Sequence, residues 1–261
     1  MFKLLIVSSV LVFASSAQAM HEQWDWLLHK HIKEVNNGAS TAVDYRGFAN
    51  DKIELDSYLA GLSAVTDADY QTWNQDKQLA FLINSYNAYT VSLILTEYPN
   101  IKSIKDVGSV FSSPWSKRFV TLLGEKRSLD DIEHGLIREP GVFDEPRIHF
   151  AVNCASIGCP ALRAEAYNEK VLSAQLEEQT RAFLSDSSRN YSDGDRLHLS
   201  SLFKWYGDDF TNKSGSLQEF LAKYAQELGA NADELKSQRY KVSFLDYDWR
   251  LNGIGYFKTN E

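Results

Sequence analysis

The stretch from Asn74 to Tyr98 constrains the fold most, because apolar residues recur on nearly every side of a helix of that length before Pro99 stops it. A helix that is apolar all round must be buried all round, so the rest of the chain has to wrap it. Asn84 and Asn87 interrupt that surface at i and i+3, beside Tyr86. A mid-helix amide loses helix propensity and needs partners for its donors and acceptor. Two uses fit: holding the backbone of a neighbouring loop, with the turn at Cys154 as one candidate, or donating to a substrate carbonyl.

The flanking pattern supplies the covering elements. Glu22 to Asn36 carries a helical stripe at Trp24, Leu27, Leu28, Ile32 and Val35, and Ala49 to Leu62 repeats it with Ile53, Leu55, Leu59 and Leu62. Thr66 to Asp69 has capping-box-like spacing for a short helix. Phe119 to Arg127 reads as a hairpin turning at Gly124, and Ser128 with Asp131 caps a helix from Leu129 to Arg138. Arg147 to Asn153 alternates as a strand, and Asn168 to Leu184 is an amphipathic helix. Asn190 to Ser200 is a hairpin turning at Asp193-Gly194. Helices follow at Leu202 to Phe210 and Leu217 to Leu228, and Lys241 to Leu251 is extended and aromatic. The pattern predicts an α+β single domain, helix-rich, with a small mainly antiparallel sheet packed against the long central helix.

Charge narrows the partners. With 27 basic and 35 acidic residues the net charge is −8, a field that repels phosphate backbones, so no nucleic acid is expected. Lys117-Arg118 and Lys126-Arg127 read as a solvated face. Residues 1–19 read as a cleavable signal peptide: Lys3, an apolar run from Leu4 to Phe13, then Ala17-Gln18-Ala19. That run is about ten residues, too short for the roughly 20 that span a bilayer, and no later stretch suffices. The expectation is one globular domain over 20–261, periplasmic or secreted, with no membrane span.

Five motifs stand in order along the chain: Phe81-Leu-Ile-Asn-Ser-Tyr-Asn-Ala88, Ser128-Leu-Asp-Asp-Ile-Glu-His-Gly-Leu-Ile-Arg138, Arg147-Ile-His-Phe-Ala-Val-Asn-Cys-Ala-Ser-Ile-Gly-Cys-Pro160, Phe203-Lys-Trp-Tyr206 and Tyr247-Asp-Trp-Arg-Leu-Asn252. Together they resemble domain-of-unknown-function family 547 over roughly Trp73 to Asn252. Its bacterial members look like exported single-domain proteins, which agrees with the leader; plant and animal relatives carry the domain in larger proteins. Leu82 stands where the first motif usually has Trp, a change expected to alter packing only. The resemblance carries no catalytic assignment.

Cys154 and Cys159 are the only cysteines, in a loop after the expected strand. In an oxidising compartment they form a disulfide, with Gly158 and Pro160 supplying the bend. The alternatives are a nucleophilic Cys154, with turn amides and Ser156 as donors, or a redox-active pair. Zinc is disfavoured for want of a further ligand cluster, and no metal or cofactor is called for. His21, His29 and His31 lie in the polar N-terminal helix. Of the remaining histidines, His134 sits at i±4 from Asp130 and Arg138, on the polar side of its helix. Strand alternation would turn His149 away from Cys154.

A 100° wheel places Leu129 at about 0°, Glu133 at about 40°, Leu136 at about 340° and Ile137 at about 80°, so Glu133 falls inside the apolar stripe. It needs a partner, either Arg147, Arg163 or backbone amides, or it serves as an acid, base or orienter at the cysteine loop.

These residues define three functional expectations. One is a thiol-dependent hydrolase or acyl-transferase with Cys154 as nucleophile, His134 or His149 as base and Glu133 as orienter. Asn84, Asn87, Tyr86, Ser156 and Arg147 would then contact an unknown small molecule or peptide. Another is a non-enzymatic, disulfide-stapled module holding a peptide or envelope component in an aromatic groove near Trp205, Tyr247 and Trp249. The third is a thiol–disulfide redox protein. Gly-rich phosphate loops, HExxH, GxSxG and EF-hand patterns are absent from the sequence.

Overall fold

The computed structural model describes residues 17–108 and 113–257, so residues 1–16 of the expected leader lie outside it. Helix α1 (Ala17–His31) buries Trp24, Leu27 and Leu28. It ends five residues before the expected Asn36, because the next four residues are drawn into a strand, which Asn36, Asn37 and Gly38 reverse at φ of 52°, 55° and 85°, a left-handed turn that asparagine and glycine tolerate. That turn pairs β1 (Ile32–Val35) antiparallel with β2 (Ser40–Val43). Neither His21 nor His31 lies on a purely polar face: Nδ1 of His21 meets the Tyr58 hydroxyl at 2.7 Å, and Nε2 of His31 meets Asp51 at 2.6 Å.

The helix expected over Ala49 to Leu62 is two helices, α2 (Tyr45–Asn50) and α3 (Lys52–Ala64). They part at Asp51, whose carboxylate is drawn to Lys30 and His31. Thr66 caps α4 (Asp67–Gln71) through the Asp69 amide. Asn74 caps α5 (Gln75–Leu95), in which every residue from Leu79 to Val91 is buried, as a helix apolar all round requires.

β3 (Val120–Leu122) and β4 (Glu125–Arg127) form the expected hairpin, with Leu123 and Gly124 both at positive φ, the type I′ geometry that matches strand twist. The Ser128–Asp131 capping box is closed in both directions and starts α6 (Leu129–Ile132). Beyond it the helix widens into one π-turn over Glu133–Ile137, closed by the Arg138 amide on the Glu133 carbonyl. Such one-turn insertions are frequent at functional sites.

The expected strand from Arg147 to Asn153 is instead a 3-10 turn, Pro146–Phe150, with Pro146 at its first position and Glu145 capping the Arg147 amide. Its alternation is too short to specify a strand that has no partner, and Ile148, His149 and Phe150 are all buried. Ile148 belongs to the core around α5, and Phe150 to a second cluster with Phe183, Phe203, Phe210 and Phe220.

α7 (Leu172–Ser185) follows, starting four residues later than expected. β5 (Tyr191–Asp193) pairs antiparallel with β6 (Arg196–Ser200). Four short helices come next: α8 (Leu202–Trp205), α9 (Gly207–Ser214), α10 (Leu217–Leu221) and α11 (Ala232–Lys236). β7 (Lys241–Leu245) then joins β6 in parallel, from Arg196↔Lys241 to Ser200↔Leu245. The three small sheets among the described residues are otherwise antiparallel, giving an α+β fold. Because β6 and β7 end together, the residues following them, Trp205 and Tyr247 to Trp249, emerge at the same place. No helix among the described residues is long and apolar enough to cross a membrane.

Candidate functional site

The cysteine loop is built from behind by asparagines. On α5, Asn87 donates to the Ala151 carbonyl and accepts from the Asn153 amide, at 2.9 and 2.8 Å. Asn153 in turn donates to the Pro160 carbonyl at 2.7 Å and accepts from the Ala155 amide at 2.9 Å, tying the loop's two ends together. Asn84 makes the same two-ended bond to the backbone of Tyr167. Both α5 amides are therefore engaged with loop backbone, and neither Asn84 nor Asn87 lines the cleft in front.

Within the loop, Cys154 and Cys159 are joined by a disulfide. Ala155 is left-handed at φ 60°, a conformation costing a non-glycine residue roughly 1–2 kcal/mol. The loop is clamped on its far side by the chain's last motif: the amides of Ile157 and Gly158 donate to the carbonyls of Arg250 and Asp248, and the Asn252 amide donates to Ala155. Gly158 lets the two segments approach closely, since a Cβ would lie 3.0 Å from the Asp248 nitrogen and the Tyr247 ring. Arg189, paired with Asp186, donates to the Cys159 carbonyl.

In front of the loop lies a cleft of about 200 Å³. Cys154 opens into it, and its wall is a cluster of four rings. Trp249 meets Trp115, Trp205 and Tyr247 at centroid distances of 5.7, 5.6 and 4.6 Å, and Trp205 meets Tyr247 at 4.8 Å. Trp205 is 47% exposed, so part of this apolar surface faces solvent. The floor comes from the π-turn and the 3-10 turn, with Glu133, His134, His149 and Tyr86 all lining the same cleft.

Glu133 is 5% exposed and has neither Arg147 nor Arg163 as a partner. Arg147 pairs with Glu145 and Glu177, and Arg163 with Glu165 and Glu178, all away from the cleft. Glu133 instead accepts from the Tyr206 hydroxyl at 2.9 Å. Burial, with the adjacent Glu133 charge adding to it, pushes the Tyr86 and Tyr206 hydroxyls well above the ordinary tyrosine range, keeping both as donors. Burial likewise raises the Asp130 carboxyl beside them.

His149 is held rather than free. Its Nε2 meets Asp209 at 2.7 Å and its ring stacks on Tyr206 at 4.0 Å. Burial pulls its pKa down against the opposing pull of Asp209. Burial alone would raise the Asp209 carboxyl, but hydrogen bonds from His149 and from Arg138, at 2.6 and 3.0 Å, hold it well below the usual range. His134 Nδ1 accepts from Arg138 at 2.7 Å, leaving Nε2 as the protonated nitrogen, 3.8 Å from Asp130.

Because residues 146–150 form a 3-10 turn and no strand, His149 is not turned away from Cys154, and both line one cleft. The partners of Cys154 Sγ are hydroxyls, Tyr247 at 3.3 Å and Ser156 at 3.4 Å. Asp209 and Trp115 escaped the sequence reading, although Asp209 stands three residues after the Phe203-Lys-Trp-Tyr206 motif at the start of a helix. Among the described residues no three His, Cys, Asp or Glu side chains gather to hold a metal ion.

Residues 70–184 match the family described as "Protein of unknown function, DUF547". The cleft floor and the cysteine loop fall inside that span, while Trp205, Tyr206, Tyr247 and Trp249 fall outside it. No curated protein and no solved structure matches the chain.

Proposed function

This chain carries a domain of the DUF547 family over residues 70–184, and on that premise we propose that it is an exported ligand-binding protein whose aromatic cleft takes an amine-bearing group of a peptide or envelope component. The observation that carries the reading is a buried carboxylate, Glu133, that accepts from the Tyr206 hydroxyl and has no ion-pair partner within 4.0 Å among the described residues, the Arg138 guanidinium acting on it only from a distance, beneath a wall of tryptophan and tyrosine rings. A cation is the complement of such a site: the rings attract it through their faces, and the carboxylate balances its charge away from water. The protein already uses one wall in this way, with Lys105 Nζ lying 3.7 Å from the Trp249 ring centroid. Export rests on the Ala17-Gln18-Ala19 ending of an apolar leader, and the closed disulfide suits an oxidising compartment.

The test is a titration of tryptophan fluorescence with n-butylammonium and, separately, with neutral n-butanol. Saturable quenching by the ammonium alone is expected, weakened tenfold or more in Glu133→Gln. Equal responses to the two probes, or a response unchanged by Glu133→Gln, would overturn the assignment.

A second reading has its own support. Cys154 lines the cleft that holds Glu133, His134 and His149, so a reduced Cys154 would sit where a thiol-dependent hydrolase or acyl-transferase needs its nucleophile. It requires an open disulfide. Native-state alkylation of Cys154, with turnover lost in Cys154→Ser, would support it; turnover by protein whose bridge stays closed would exclude it.

A further inference from the structure

The two sulfurs of the cysteine loop are not equivalent. Cys154 is partly exposed and lines the cleft, whereas Cys159 is 3% exposed. Four donors converge on Cys159 Sγ: the Cys154 amide at 3.0 Å, the Ser156 amide at 3.4 Å, the Ser156 hydroxyl at 3.1 Å and the Tyr247 hydroxyl at 3.3 Å. The hydroxyls are shared, since both also reach Cys154 Sγ. The two amides are not shared. They flank Ala155, which is left-handed, and converge on Cys159 as the backbone N–H groups of an anion-binding nest do, while the Ala155 amide itself donates to Asn153.

We infer that the Cys154–Cys159 bridge is an exchange-active disulfide that oxidises thiols of peptides or proteins, with Cys154 the sulfur attacked and Cys159 the leaving thiolate. An incoming thiolate attacks Cys154 Sγ from the cleft and forms a mixed disulfide with it. The Cys154–Cys159 bond breaks, and its electron pair departs on Cys159 Sγ into the nest of two amides and two hydroxyls. A second thiolate of the same substrate then attacks its own sulfur in the mixed disulfide, leaving as substrate disulfide and releasing Cys154 as a thiolate. Two substrate thiols become one disulfide, and the protein pair takes up the two electrons and two protons. Leaving-group stabilisation speeds such exchange, and access decides which sulfur is attacked. This inference goes beyond ligand binding and rests on the loop and on the access to Cys154 from the cleft, not on the ligand proposed for it.

The test uses the oxidised, full mature protein with reduced glutathione, quenched in acid, blocked with N-ethylmaleimide and mapped by mass spectrometry. Glutathione on Cys154 with maleimide on Cys159 is the expected product. Glutathione on Cys159, or no adduct under conditions where the denatured protein forms one, would overturn the inference. A second measurement follows thiolate absorbance with pH in the reduced single-cysteine proteins. Cys159, in Cys154→Ser, should ionise at least one pH unit below Cys154, in Cys159→Ser. Tyr247→Phe or Ser156→Ala, each combined with those variants, removes one shared hydroxyl and keeps both amides, so the order of ionisation should survive. A reversed order in any of them would refute the leaving role of Cys159. Glutathione exchange at Cys154 with no effect of the butylammonium probe would uphold this inference while the cleft assignment fails.

Discussion

The Tyr206 hydroxyl donates to Glu133 Oε1 at 2.9 Å, joining the end of α8 to the π-turn at the floor of the cleft. The same ring stacks on His149 and carries the Arg138 guanidinium 4.8 Å from its centroid. Tyr206→Phe keeps both ring contacts and removes only the donor to a buried carboxylate. Leaving such a group short of a partner costs about 1–3 kcal/mol. The urea midpoint should fall accordingly with the slope unchanged, and an unchanged midpoint would mean that Glu133 is satisfied from elsewhere.

Asn87→Ala strands two backbone groups at once, the Ala151 carbonyl and the Asn153 amide, behind the cysteine loop. At about 1–3 kcal/mol for each buried group, a loss of about 3 kcal/mol is expected. Hydrogen exchange should report it locally, with the Asn153 amide losing protection before the amides of α5. A variant as stable as the parent would show that water replaces the side chain.

Asn84 and Asn87 show what was legible in the sequence. Their position inside an all-apolar helix announced that they must bond to something, and a loop backbone near Cys154 was one of two partners the sequence allowed. The hairpins at Gly124 and at Asp193-Gly194, the Ser128 capping box and the burial of Glu133 were readable because each depends on neighbours within a few residues, whereas the hairpin of β1 and β2 was hidden under a helical stripe. The partner of Glu133 was not, because Tyr206 lies 73 residues away and a hydroxyl leaves no charge pattern to match. The helical wheel assumed an unbroken α-helix, and the π-turn begins at Glu133 itself. Ile148, Phe150 and Val152 alternate as a strand would, yet the segment folds as a 3-10 turn that bridges two cores. Three alternating positions cannot distinguish these outcomes without the tertiary context. The parallel pairing of β6 with β7, which brings Trp205 to Tyr247 and Trp249, is likewise a non-local event.

Gly158 sits where the cysteine loop meets the terminal motif. In Gly158→Ala the new Cβ would press on the Asp248 backbone and the Tyr247 ring at 3.0 Å, and the backbone atom cannot swing aside as a side chain would. Overpacking of this kind costs typically 1–3 kcal/mol. Since Tyr247 touches Trp205 and Trp249, the substitution should also change tryptophan emission in the folded protein. A loss of stability with emission unaltered would place the strain elsewhere.

Two buried histidines should make the fold sensitive to mild acid. His21, against the Tyr58 hydroxyl, is pulled down to about 4 by burial and by the nearby Lys77 charge, and burial lowers His149 as well. In the unfolded chain both take up a proton near 6.5. Below about pH 6.5 the unfolded state therefore binds protons that the folded state does not, and stability falls as the pH drops. For His21 the loss is complete near its folded pKa of about 4 and reaches, as an order of magnitude, about 3 kcal/mol. Asp209 acts lower still: its carboxyl is held down in the fold, so its contribution is present above its ordinary range near 4 and disappears only below it. Urea midpoints measured from pH 7 to pH 4 should decline. His21→Asn, which retains a polar partner for Tyr58 and cannot titrate, should flatten the decline. A variant curve as steep as that of the parent protein would show that His21 does not carry the acid sensitivity.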